Sequence, residues 1–419
     1  MSSTPRPRRG RRPGRAALVC AALAAVACAA GCAAERTPPR AAPPSGQAPS
    51  AAGGARAAER PFTLAASGDV LPHASVIQQA AADAGGTGYD FRPMLAGVAP
   101  AVSRADLAIC HMETVYGANG DYSGYPSFKS PPEIAEALAA TGYDSCSTAS
   151  NHTLDDGAPG IARTLDALDR AGVAHAGSAR TEREAGRPAW LSAGGAKVAQ
   201  LAYTYGTNDI PLPEDRPWSV ALIDEQRIVD DARAARRAGA DVVVVSLHWG
   251  TEWQNAPDEQ QLSLGRALTA AATDGRPDID LLLGTHAHVP QAYEKVGGTW
   301  VVYGMGDQIA GAMINYEGVQ DPRGNQGSIA RFTFSPPAKP GARWEVTRAE
   351  YVPQWMDTAA GRVVNLSDVI AKGSARPEHH TALAAITSAV LGRRAGGGGG
   401  GVGRGAPRPR GGGPRGPPG

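Results

Sequence analysis

Five short apolar runs in this 419-residue chain end in residues that bind metals or move protons. Phe62–Ser67 leads into Gly68-Asp69, and Asp106–Cys110 into His111-Met112-Glu113. Ser145–Ala149 leads into Ser150-Asn151-His152, with Asp155, Asp156 and Gly157 just beyond. Asp241–Leu247 runs into His248-Trp249-Gly250-Thr251-Glu252, and Asp280–Gly284 into Thr285-His286-Ala287-His288. A lone histidine after a strand ordinarily caps a turn or faces solvent. Five of the nine histidines stand at such ends, beside Asn and carboxylates, so capping is a poor account of the set. Nitrogen and oxygen donors in this mix suit divalent Mn, Zn or Fe.

The elements that must position these residues are read from the same pattern. Ligands in an open α/β sheet collect outside the carboxyl ends of the strands. Val242–Val245 is four valines in succession, the mark of a strand covered on both faces. Thr299–Tyr303 reads as a sixth strand. Helices fit over Pro132–Thr141, Pro159–Ala171 and Glu225–Ala238, each followed by Gly, and over Asp258–Thr273, followed by Asp274-Gly275. Hairpins interrupt the alternation at Ala189–Tyr203, around Gly194-Gly195, and at Ile329–Val352. A layered α/β fold with mixed sheets follows.

Both chain ends differ from this folded part. The first 15 residues hold six Arg and no acid, and Ala395–Gly419 holds four Arg and no acid. Setting those ten charges aside from a formal +1 leaves −9 for the remainder, a mildly acidic domain between basic ends. That balance excludes a nucleic-acid footprint on the folded part. Arg6–Arg15 followed by the Ala-rich Ala16–Ala30 reads as an export signal too short to span a bilayer. Ala29-Ala30-Gly31-Cys32 resembles a lipoprotein processing site, although Ala29 stands where Leu is usual. Cys32 is therefore expected to carry a lipid anchor at the outer face of the membrane, the alternative being ordinary cleavage and secretion. The expected organisation is a signal peptide at 1–32, a flexible tether at 33–60, one domain at 61–392 and a disordered Gly/Pro/Arg tail at 393–419. Cys110 and Cys146, both in expected strands, read as buried free thiols, although an exported location permits a disulfide.

Taken in order, Gly68-Asp69, Met112-Glu113, Asn151-His152 with Asp155 and Gly157, His248-Trp249-Gly250 with Glu252, and Gly284 with His286 and His288 resemble the motif set of the CapA capsule-synthesis family. The tyrosine-rich run before the Pro-rich Ile210–Pro217 loop and Val301–Gly306 extend the resemblance, which covers residues 62–392. That family is similar to calcineurin-like metallophosphoesterases, which implies a four-layer α-β-β-α sandwich holding two divalent ions at strand ends. By this resemblance Asp69 and His288 would bind the first ion, Glu113 would bridge, and Asn151, His248 and His286 would bind the second. His152 would donate a proton or stabilise the transition state, oriented by Asp155. The implied role is in capsule or exopolymer synthesis of poly-γ-glutamate type, with an anionic polymer and a membrane synthase as partners. The reaction would be amide or phosphoester hydrolysis, and the competing role is non-catalytic polymer binding or export.

Plainer roles stand beside each of these. Asp69 could close a turn, Glu113 could be a helix N-terminal charge, and Asn151-His152 could be turn chemistry. His286 and His288, two apart, would share one face if extended. Glu252 could pair with an Arg or bind a substrate amine. Trp249 and Trp253 suit a pocket wall or the core, and His73, His175, His379 and His380 suit structural or exposed positions. Three residues depart from the expected pattern. Leu71 stands where phosphoesterases of this fold carry a second ligand, a His two residues after the Asp, an absence that CapA-like sequences share. His111 stands where the family has Asn. Asp307, in Gly304-Met305-Gly306-Asp307-Gln308, brings a negative charge that would disfavour a polyanion. A metal-dependent amidohydrolase barrel is disfavoured because its His-x-His pair comes on the first strand, whereas here it comes late.

Overall fold

Alternation along the strands sorts side chains into three cores, and those cores define the layers. The computed structural model describes residues 58–339, 341–393 and 402–405. The expected signal peptide, Cys32 and most of the tether and tail lie outside the described residues. Leu107 and Ile109 face one core while Ala108 and Cys110 face another, and Val242 and Val244 part in the same way from Val243 and Val245. The first sheet runs Arg362–Asn365, Glu345–Asp357, Gln326–Ser335, Phe62–Val70, Leu107–Met112, Ser145–Ser147, Ala174–Ala176. The second runs Tyr293–Val296, Thr299–Val302, Leu281–Thr285, Val242–His248, Ala196–Thr204, Ala189–Ala193. Each sheet is parallel through the strands that carry the candidate ligands and antiparallel at the hairpins.

Phe62, Leu64, Leu107 and Ile109 meet Val242, Val244, Leu281 and Leu283 between the sheets. Helices Ala74–Asp83, Glu133–Thr141 and Gly157–Ala171 cover the outer face of the first sheet against Ala65, Ala108, Cys110 and Cys146. Helices Glu225–Arg237 and Glu259–Ala270 cover the second against Val243, Val245, Leu282 and Val301. The result is the expected four-layer α-β-β-α sandwich with mixed sheets. Val242–Val245 is wholly buried because both faces are covered. Among the described residues no helix is long and apolar enough to cross a membrane.

Local chemistry explains most boundaries. Gly142 and Gly172 end their helices in left-handed backbone, at φ +105° and +76°. Asp258 caps the Glu259–Ala270 helix through a reciprocal box with Gln261. That helix stops three residues short of the expected Thr273. Asp274 and Gly275, both at positive φ, form a tight turn that draws Ala272–Thr273 into a hairpin with Arg276–Pro277.

Two expectations are corrected. Cys110 and Cys146 are joined in a disulfide rather than free. They are register partners on adjacent parallel strands, with Cα atoms 4.4 Å apart, a juxtaposition that strand assignment alone does not reveal. Within the tail read as disordered, Gly403–Arg404 pairs in parallel with Glu350–Tyr351. The Arg362–Asn365 strand covers only Gln354–Asp357 of that long strand, which leaves an edge where Gly403–Arg404 add.

Candidate metal centre

Parallel pairing puts the ligand-type residues of the first sheet in one row. Asp69, near the end of Phe62–Val70, is level with His111 on the neighbouring Leu107–Met112 strand. On its other side it is level with Asp307 of the short Asp307–Ile309 strand. Gly68 permits this last approach, because a Cβ there would lie 1.7 Å from the Gly306 carbonyl oxygen. That oxygen accepts the Asp69 amide at 3.1 Å. Glu113 follows directly on Met112, and Asn151-His152 lie in the turn after Ser145–Ser147. Thr153 Oγ1 braces that turn by accepting the Ser150 amide at 2.8 Å and donating to the Thr148 carbonyl at 3.0 Å.

The second sheet supplies the opposite wall. His248 ends its strand, and His286 and His288 lie in the turn beyond Leu281–Thr285. Both of these histidines hold left-handed backbone, at φ +92° and +56°, a conformation that costs about 1–3 kcal/mol each outside glycine. They are therefore not extended, and the shared-face argument from their spacing does not apply. They reach the same cluster through the turn instead, with ring centroids 6.0 Å apart. The His286 amide donates to Asp69 Oδ2 at 3.1 Å and so links the two sheets.

Short distances then join the whole set. His248 Nε2 lies 2.9 Å from Asn151 Oδ1 and 3.8 Å from Glu113 Oε1, and its Nδ1 lies 3.9 Å from Asp69 Oδ1. The His248 ring is 4.7 Å from that of His286 and 4.8 Å from that of His111. His288 Nδ1 is 2.9 Å from Asp307 Oδ1 and 4.0 Å from Asp69 Oδ2. His152 Nδ1 is held at 2.7 Å by Asp155 Oδ2, which also accepts the Phe128 amide at 2.6 Å.

Burial sets the electrostatics. It pushes Asp69 up to about 8, with Asp307 adding to the effect, and pushes Glu113 well above the carboxylate range, with Asp69 adding. Asp307 rises to about 6, again from burial, with His288 opposing. His111 is held down to about 3 by burial, and His248 and His286 fall well below the usual imidazole value for the same reason. His288 is the exception. Burial opposes its charge, but Asp307, Glu113 and Asp69 together raise it well above the usual range. Three buried acids thus face one favoured cation. Asp69 Oδ1, both Glu113 carboxylate oxygens, His111 Nε2, His286 Nδ1 and Asp307 Oδ2 are buried without a hydrogen-bond partner. Such atoms cost free energy unless something meets them. The nitrogen–oxygen donor set and its unmet atoms fit divalent ions.

All six expected ligand residues, Asp69, Glu113, Asn151, His248, His286 and His288, lie in this one cluster. His152 and Asp155 form a pair beside it, where the Phe128 ring lies 4.7 Å from that of His152. Asp307 brings its carboxylate to the cluster, fully buried and bonded to His288. Leu71 packs in an apolar cluster with Phe128, Ala310 and Met313. Glu252 comes within ligand range of His286 and His288. Trp249 is core, and the Trp253 ring lies 6.2 Å from His288. Sequence reasoning missed four supporting groups. Tyr205 has its ring 4.5 Å from His286, and Ser147 Oγ lies 2.7 Å from His111 Nδ1. Thr285 Oγ1 lies 3.1 Å from His248 Nδ1, and Asn208 accepts from Asn151 Nδ2 at 3.1 Å. Tyr205 belongs to the tyrosine-rich run already noticed, whereas Asn208 carries no signal of its own.

The model for bacterial capsule synthesis protein PGA_cap matches residues 63–312. The chain belongs to this family. It is 27% identical over 227 residues to a probable polyglutamine synthesis accessory protein of Mycobacterium tuberculosis, covering 51% of this chain and 57% of that protein. It is 26% identical over 181 residues to the capsule biosynthesis protein CapA of Bacillus anthracis, covering 42% of each. The chain thus spans about half the length of the curated relatives it matches. Among solved structures, it aligns with a calcineurin-like phosphoesterase from Bacillus subtilis at 13% identity and a TM-score of 0.42, over 78% of this chain and 99% of that one.

Proposed function

We propose that this PGA_cap family member is an exported, metal-dependent hydrolase of capsule or exopolymer metabolism. The observation that carries the reading is the meeting of both sheets' carboxyl ends in one buried cluster with unmet ligand atoms. In this reading Asp69 and His288 would hold one divalent ion, Asn151, His248 and His286 the second, and Glu113 would serve both. Bound Mn, Zn or Fe would supply Lewis-acid polarisation of the scissile carbonyl or phosphoryl group. His152, its Nδ1 fixed by Asp155, delivers a proton to the leaving group from the ring's other nitrogen. The substrate class is an anionic exopolymer such as poly-γ-glutamate, in keeping with a capsule biosynthesis protein and a probable polyglutamine synthesis accessory protein among the relatives. A lipid on Cys32 would hold the domain, taken as 61–392, at the outer membrane face, with 33–60 as a tether and 393–419 as a tail.

A second reading is a non-catalytic subunit that binds polymer or assists export beside a membrane synthase. One observation favours it: Leu71 is committed to apolar packing where phosphoesterases of this fold supply an imidazole. The deciding experiment measures bound metal in the purified protein and in His248→Ala, and assays both on poly-γ-glutamate and an aryl phosphodiester. Metal-dependent cleavage of either substrate by the wild type, lost in His248→Ala, is the expected result. Metal without turnover would favour the binding role, and a folded protein that takes up no metal would end the metal reading. Fatty-acid labelling of wild type but not Cys32→Ser is expected for the anchor, and equal labelling would refute it.

A further inference from the structure

The two polar departures from the family pattern, His111 and Asp307, are far apart in sequence but are the two register neighbours of a single residue. Asp69 pairs level with His111 across one strand boundary and with Asp307 across the other. In parallel strands, level residues project from the same face of the sheet. The three side chains therefore form a row, two of them departures from the family motif, beside the first motif that lacks its usual second ligand.

We propose that His111 and Asp307 complete the first metal position with Asp69 and His288, in place of the imidazole that Leu71 does not supply. This rests on the reading that the site holds divalent ions. Leu71 cannot contribute, because its side chain is buried among Phe128, Ala310 and Met313. His111 is prepared as a ligand on one nitrogen only. Ser147 Oγ engages Nδ1 at 2.7 Å, which fixes the ring, while Nε2 is buried without a hydrogen bond 3.6 Å from Asp69 Oδ1. Ser147 Oγ takes the place of the carboxylate, carbonyl or water that usually orients a metal-bound histidine through its other ring nitrogen. Asp307 is divided in the same way, with Oδ1 on His288 at 2.9 Å and Oδ2 buried and unmet. Ligand atoms of Asp69, His111 and His248, and those of Asp69, His288 and Asp307, each lie within 4.8 Å of one another.

The plainer account makes His111 a partner of Ser147 and Asp307 an orienting group for His288. It uses one polar atom of each residue and leaves the other buried and unsatisfied against the same carboxylate. Coordination uses both atoms of both residues.

The test uses the full chain, stripped with EDTA and titrated with Mn2+ by calorimetry, with metal counted after gel filtration. Wild type is expected to take up two ions. His111→Asn and Asp307→Asn are each expected to keep one class of site and to weaken or lose the other by at least tenfold, while melting within a few degrees of wild type in EDTA. Either variant titrating like wild type overturns the assignment for that residue and leaves the metal reading standing. A folded wild type that takes no Mn2+ overturns both. Should an asparagine variant fail to fold, a crystal structure of wild type with Mn2+ located by anomalous scattering decides. His111 Nε2 and Asp307 Oδ2 at bonding distance are expected, and an ion bonded to neither overturns the proposal.

Discussion

Asp280 and Asp69 are both buried carboxylates at the ends of strands, 1% and 0% exposed, yet their surroundings differ in kind. Asp280 stands at the amino end of Leu281–Thr285. Arg236 pairs with it, Arg343 Nε donates at 3.0 Å and the Val243 amide donates at 2.8 Å. Asp278 beside it is paired with Arg233 at 3.0 Å. Asp69, near the carboxyl end of its strand, has no arginine among its partners, one unmet oxygen, and two further acids close by. The chain supplies its own cations where a carboxylate serves the fold. Where it leaves three carboxylates with one histidine as cation, burial raises the acids instead, a pattern that suits a site to be completed by a cation. Burial alone does not distinguish the two ends, but the completeness of the pairing does.

The largest effects should separate the two aspartates. Asp280→Ala strands Arg236 and Arg343 and is expected to cost about 3–5 kcal/mol in denaturant unfolding, whether or not Mn2+ is present. Asp69→Asn should cost less than about 1 kcal/mol in EDTA, because it removes an unpaired buried acid, and should abolish stabilisation by Mn2+. Equal losses for both variants in EDTA would break the contrast. Next, His152→Ala is expected to lower turnover by about 10²–10⁴-fold with metal content unchanged, and co-purified metal that falls with activity would recast it as a ligand. Thr285→Val removes the hydroxyl beside His248 Nδ1 and should weaken metal affinity by about 10–100-fold, read by competition with a chelating dye.

The last test is a pH slope. Asp69, held at about 8 when folded and near the ordinary carboxylate value of about 3.9 when unfolded, takes up a proton on folding between those limits. Its contribution to stability is complete below about 4 and is lost as pH rises toward 8. Metal-free protein should therefore melt lower at pH 8 than at pH 5, with a shallower decline in Asp69→Asn. Identical slopes would show that Asp69 is not the group responsible.

Much of this end of the molecule was legible in the sequence. The valine strand, the Gly-terminated helices and the ligand residues after each strand all follow from short-range chemistry. The places where reading fell short involve pairing between segments. Cys110 and Cys146 gave no sign of their bond because strand register is not written in either strand alone. The spacing of His286 and His288 suggested an extended pair, but both take left-handed backbone in a turn whose amide is bound by Asp69. Asp307 was legible as an added negative charge near the site, but its burial depends on His288, 19 residues earlier, and on a strand more than 200 residues away.

The sequence by itself determined which strands end in residues of metal-ligand type, since apolar alternation and the residue that follows it are local properties of the chain. It also determined the family, through the order of those motifs. Only the tertiary structure decided that both sheets bring their carboxyl ends to one cluster and that His111 and Asp307 flank Asp69. It also decided which buried acids the fold itself satisfies. Those outcomes depend on parallel register and sheet packing, which bring together residues separated by up to 238 positions in the chain. No local propensity encodes such a distance.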